Sequence, residues 1–140
     1  MVMMHGFGGT SLTFLRLFNY LFPYYQVHAL DNFGIGYSSS GNYRKSFNDN
    51  EAIDYYIDAV EDWRKKLDIQ EFELVGHSFG GYLALNYALK YPEYVKRLVL
   101  LSPAGSNRGA SESLKQRYEN GNFKTKSWLY FLETIYACLL

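Results

Sequence analysis

One stretch constrains this chain more than any other: Leu74-Val75-Gly76-His77-Ser78-Phe79-Gly80-Gly81. A short β-prone run over residues 71–75 enters it. Leu83, Ala84, Tyr87, Ala88 and Tyr91 leave it at helical spacing until Pro92 stops the pattern. The reading is strand, sharp turn, helix. The middle residue of such a turn takes a strained backbone conformation, and Gly76 and Gly80 must lack side chains if strand and helix are to approach. This is the G-x-S-x-G pattern of a nucleophile elbow. It lifts Ser78 clear of the sheet and aims the Phe79 N–H at the point where an oxyanion would form. The plainer alternative is a glycine-rich turn whose serine caps a helix.

A second glycine-rich loop, His5-Gly6-Phe7-Gly8-Gly9-Thr10, follows the apolar residues 1–4, which read as the end of a buried strand. It leads into a helix expected over residues 11–18. Such a loop can turn a backbone N–H toward a neighbouring strand tip, so Phe7, or else Gly8, is the candidate second oxyanion donor. A phosphate-cradling loop is the rival, but neither G-x-x-x-x-G-K-[ST] nor G-x-G-x-x-G spacing is present. Residues 25–30 read as a second strand with His28 packed in mid-strand. Asp31 opens the polar, glycine-containing loop that closes it, on the side where open α/β sheets bind ligands. Asp31 is a catalytic candidate, though a carboxylate that pins this loop by accepting backbone N–H groups is the favoured reading.

Capping signals at Ser46 and Asn48 open the strongest helical pattern. Ile53, Tyr56, Ile57, Val60, Arg64 and Leu67 form its inner stripe, while Glu51, Asp54, Asp58, Glu61 and Lys65 are assigned to a solvated face. After the elbow helix, residues 95–101 form another apolar strand, expected to keep an unpaired edge. Strands alternating with helices at this spacing imply right-handed βαβ units and a parallel sheet. Residues 106–127 turn polar. Trp128, Phe131, Leu132, Ile135, Tyr136 and Leu139 then give one apolar helical face, which would lie on a lipid surface, cover a pocket or pack on further protein.

Composition narrows the partners. With 14 basic and 14 acidic residues the chain carries no field that favours nucleic acid, and no metal-ligand pattern is present. An aromatic share of 19% suits an apolar-substrate pocket, or equally a compositional bias. The single cysteine, Cys138, fits a reducing compartment. No signal peptide or membrane-spanning run is read, so the expected localisation is cytoplasmic, with a peripheral place on membranes or lipid droplets as an extension.

His5-Gly6-Phe7-Gly8-Gly9, Asp31-x-x-Gly34-x-Gly36-x-Ser38, the elbow and Tyr91-Pro92-x-x-Val95 resemble the N-terminal half of an α/β-hydrolase domain over residues 1–105. Glu61-Asp62-Trp63-Arg64, Leu89-Lys90-Tyr91-Pro92 and Leu101-Ser102-Pro103-Ala104-Gly105 resemble, within it, the lysophospholipase and N-acyl-phospholipid hydrolase subfamily related to the lipid-droplet lipase coactivator. The resemblance implies a partial α/β-hydrolase fold over residues 1–105, a mostly parallel sheet flanked by helices. Residues 106–140 would start a helical cap. It further implies Ser78 as nucleophile, Phe7 and Phe79 as oxyanion hole, supporting loops at His5, Gly6, Gly8, Gly76, Gly80 and Asp31, a lipid or acyl-ester substrate, and no cofactor or metal. Family order places an acid and then a histidine after the serine, yet His5, His28 and His77 all precede Ser78. The expectation is therefore either a fragment of a lipid serine hydrolase or acyltransferase, or a non-catalytic lipid- or protein-binding member.

Overall fold

The computed structural model describes residues 1–40 and 49–105. In chain order they form β1 (Val2–Met4), a 3-10 turn (Ser11–Phe14), α1 (Leu15–Leu21), β2 (His28–Leu30), α2 (Asp49–Lys66), β3 (Phe72–His77), α3 (Phe79–Lys90), a second 3-10 turn (Pro92–Tyr94) and β4 (Val95–Leu101). The four strands make one parallel sheet in the order β2-β1-β3-β4. The expected α/β class and parallel sheet are therefore what the chain adopts. Among the described residues β4 pairs on one side only, and its Lys96 and Arg97 are exposed.

Period-two alternation divides the core between the two faces. Val2, Met4 and Leu74 point to one side and pack under Ile57 of α2 and Leu83, Ala84 and Tyr87 of α3. Met3 and Val75 point to the other, under Phe14 and Phe18. Helices thus cover both faces, as a parallel sheet requires.

Local details depart from the pattern. The helix expected over 11–18 is a 3-10 turn followed by an α-helix that runs on to Leu21. The second strand is shorter than expected, so His28 is its first residue, edge-on to the Trp63 ring at 5.3 Å. Leu67, assigned to the inner stripe, lies beyond the end of α2 and is 50% exposed. The capping signal at Ser46 and Asn48, the segment 106–140 with its apolar stripe, and Cys138 lie outside the described residues.

The main correction concerns Glu61, assigned to the solvated face and found 2% exposed. It receives a two-pronged pair of hydrogen bonds from Arg64, both 2.8 Å, and a third from the Tyr87 hydroxyl at 2.7 Å. Arg64 also donates to the Ile69 carbonyl, and its guanidinium stacks 3.6 Å above the Tyr94 ring. A buried carboxylate is tolerable only when paired and fully hydrogen-bonded, and here the partners come from α2, α3 and the β3 and β4 approaches.

Removing that carboxylate leaves a buried, unpaired guanidinium, so Glu61→Ala should lose about 3–5 kcal/mol in urea unfolding. The Arg64 hydrogen bonds, with help from Tyr87, hold the Glu61 carboxyl down to about 2 against the opposing effect of burial. The folded value lies below the ordinary 4.5, so this stability is present above about pH 4.5 and is lost as pH falls toward 2. In Glu61→Gln that part of the pH–stability curve should flatten.

Candidate active site

From β1 the chain crosses to β2 on one side, then returns to β3 on the other side of β1. The C-terminal ends of β1 and β3 therefore border the topological switch point, the crevice where open α/β sheets take their ligands. The loop after β1 begins at His5, and the turn after β3 is Ser78.

Ser78 has φ 51° and ψ −118°, a strained conformation for a residue with a side chain, at the junction of β3 and α3. Its backbone is fixed from three directions: its N–H donates to Leu101 O at 3.0 Å, while its carbonyl accepts from Tyr82 at 3.1 Å and Ala104 at 2.9 Å. The flanking glycines are required by space. A Cβ on Gly76 would lie 2.5 Å from Gly80 O, and one on Gly80 would lie 2.3 Å from Met4 O.

The loop after β1 reaches the elbow directly, since a Cβ on Gly6 would sit 3.0 Å from Ser78 Cβ and 3.1 Å from His77 Nδ1. The backbone N–H groups of Phe7 and Phe79 have no acceptor among the described residues. Phe79 is the first residue of α3, where an N–H has no intrahelical partner. The Phe7 side chain is 89% exposed.

Asp31 has both carboxylate oxygens occupied by backbone donors, Ser11 N–H at 2.6 Å and Tyr37 N–H at 3.0 Å. Those two bonds, Ser11 first, hold its carboxyl below the usual carboxylate range. That is the geometry of a loop anchor.

None of the histidines is hydrogen-bonded to Ser78. His5 is fully buried with both ring nitrogens engaged. His28 pairs with Val2, which lies opposite Leu74, so it sits roughly 13 Å back along the sheet from Ser78. His77 Nδ1 is buried with no hydrogen-bond partner among the described residues. No group of metal-ligating side chains is present among them either.

Sequence reasoning missed Asn32, which is 6% exposed and bonded to His5. Nothing in a loop sequence distinguishes a buried asparagine from a solvated one. It also missed a cavity of about 480 Å³ beside β2, bordered by Phe33, Tyr37, Tyr56 and Trp63. Ser78 does not line it. The Tyr56 ring nevertheless bridges Phe33 and Phe79, with centroids 6.2 Å from each, so the cavity wall and the residue after Ser78 are packed together.

Residues 1–129 match the α/β-hydrolase fold family. The chain belongs to that family. This α/β-hydrolase chain is 44% identical over 106 residues to a probable 1-acylglycerol-3-phosphate O-acyltransferase of Oryza sativa subsp. japonica, covering 75% of this chain and 25% of that protein. It is 36% identical over 105 residues to the (lyso)-N-acylphosphatidylethanolamine lipase of Bos taurus, covering 75% of this chain and 30% of the relative. Among solved structures, a membrane phospholipase A superposes with TM-score 0.66 at 30% identity, covering 86% of this chain and 37% of the other. A probable hydrolytic enzyme from Pseudomonas aeruginosa PAO1 gives 0.65 at 31%, with 74% and 32% covered. The chain spans about a quarter to a third of the length of these curated relatives.

The α/β-hydrolase elbow makes a direct prediction. The atoms that would meet a Gly80 Cβ are backbone atoms of Met4 and His5 and cannot move aside, so Gly80→Ala should cost about 3 kcal/mol in thermal or urea unfolding. Gly8 has φ 72° with open space around it, so Gly8→Ala should cost only the left-handed strain, about 1 kcal/mol.

Proposed function

We propose that this chain carries the nucleophile and oxyanion hole of a lipid serine hydrolase or acyltransferase acting on lysophospholipid or N-acyl-phospholipid esters or amides. The observation that carries the reading is Ser78, held at φ 51° on the switch-point crevice, beside two unclaimed backbone N–H groups. Relatives named for acyl transfer to a lysolipid and for N-acyl-phospholipid cleavage support the substrate class.

In this reading Ser78 Oγ attacks the acyl carbonyl, and the resulting oxyanion is received by the Phe7 and Phe79 N–H groups. The leaving alcohol or amine then departs with a proton. The acyl-enzyme passes its acyl group to water or to a second lipid hydroxyl. Phe7, Leu12 and Leu15, 89%, 66% and 58% exposed, form an apolar rim on and after the oxyanion loop that suits approach to a lipid surface. No helix among the described residues is long and apolar enough to cross a membrane.

A serine without a base is a weak nucleophile, and neither His5 nor His28 is placed to serve, while His77 makes no bond to Ser78. With no base assigned among the described residues, the second reading is a non-catalytic lipid- or protein-binding member.

A fluorophosphonate probe, which reports an activated serine, separates the two. The 140-residue chain should label at least a thousandfold more slowly than an enzyme with an intact triad. In the full-length gene product labelling should be rapid and should vanish in Ser78→Ala. Absence of Ser78-dependent labelling there would favour the binding role, and rapid labelling of the 140-residue chain would contradict the assignment of its histidines.

A further inference from the structure

We infer that His5 is a positioning residue that sets the direction of the Phe7 N–H, and that Asn32 and Asp31 are its anchor. This rests on the reading of Ser78 and Phe7 given above.

The Gly6 carbonyl accepts two hydrogen bonds, from His5 Nδ1 at 2.7 Å and from the Gly9 N–H at 3.1 Å. In a planar trans peptide the carbonyl oxygen and the following N–H point in opposite directions. Fixing the Gly6 oxygen therefore fixes the Phe7 N–H. In a loop with glycines at 6, 8 and 9 the backbone is otherwise free to turn this peptide over. Turned over, it would present a carbonyl where a donor is needed.

The imidazole can hold Gly6 O only with a proton on Nδ1. Asn32 ensures that, because its backbone N–H donates to Nε2 at 2.9 Å and requires a lone pair there. The Asn32 side-chain amide donates to the His5 carbonyl at 2.7 Å. The same nitrogen is 3.4 Å from Nδ1, a longer contact to an atom already donating elsewhere. His5 is 0% and Asn32 6% exposed, so water cannot readily replace these bonds. Next in the chain, Asp31 accepts the Ser11 N–H at 2.6 Å. Two adjacent residues after β2 thus grip the oxyanion loop at its first residue, His5, and just past its last, at Ser11.

Because the lock acts through a donor that matters chiefly when charge develops, its loss should weaken capture of a tetrahedral anion and spare ground-state binding. Two measurements on the full-length gene product test it. The first is the nitrogen-15 spectrum of His5, expected to show the neutral form protonated at Nδ1; a ring protonated at Nε2 overturns the proposal. The second compares affinity for octylboronic acid and for octanol. With the acid, Ser78 Oγ bonds to boron, its proton leaves to solvent, and a tetrahedral boronate anion results.

His5→Leu should lose at least tenfold in boronic acid affinity with less than a twofold change for octanol. His5→Asn, whose amide N–H can reach Gly6 O, should recover most of it. Equal boronic acid binding by His5→Leu and the parent, with that binding dependent on Ser78, overturns the proposal. If Ser78→Ala binds the acid as tightly as the parent, the nucleophile reading fails, and the His5 spectrum still decides the clamp. Asn32→Ala keeps the backbone bond and loses the side-chain one, so it should give a partial loss even where His5→Leu does not fold.

Discussion

The structure depends on how closely α3 approaches the sheet. Gly80 lies against the Met4 and His5 carbonyls, and Gly76 against the backbone of Gly80 and Gly81, at distances that leave no room for a Cβ. That approach forces the chain to turn from strand to helix within one residue, and Ser78 takes up the strain with a positive φ. Such strain persists only where the surroundings over-determine it. Here the N–H and carbonyl of Ser78 are tied to Leu101, Tyr82 and Ala104.

The same approach brings the end of β1 under the start of α3, so the loop beginning at His5 has nowhere to go except beside the elbow. Its carbonyls and amides are then allocated by neighbours: Gly6 O to His5 and Gly9, the Ser11 N–H to Asp31, and the His5 ring to Asn32. The N–H groups of Phe7 and Phe79, among those with no acceptor in the described residues, belong to the two segments that meet at the switch point.

A buried charge network supports this arrangement from below. Glu61, Arg64 and Tyr87 join α2 to α3, with Arg64 also reaching the Ile69 carbonyl that precedes β3. The network fixes the helix that ends the elbow against the helix that leads to its strand. A hydrophobic contact would hold the same surfaces but would not set their rotation. Hydrogen bonds of defined direction do both.

Much of this was legible in the sequence. G-x-S-x-G between an apolar run and a helical stripe has one compact solution, because the spacing of two glycines around a serine dictates who can approach whom. Alternating strands and helices likewise required a parallel sheet. Tertiary structure decided which polar residues are buried. Glu61 has the spacing of a solvated charge, and only the arrival of Tyr87, 26 residues away, makes it part of the core. Asn32 and His5 are 27 residues apart and meet because β1 and β2 are neighbours in register, Met4 opposite Leu30. Local pattern fixes which face of an element is apolar. Where a polar group finds its partner depends on contacts distant in sequence, and no periodicity encodes them.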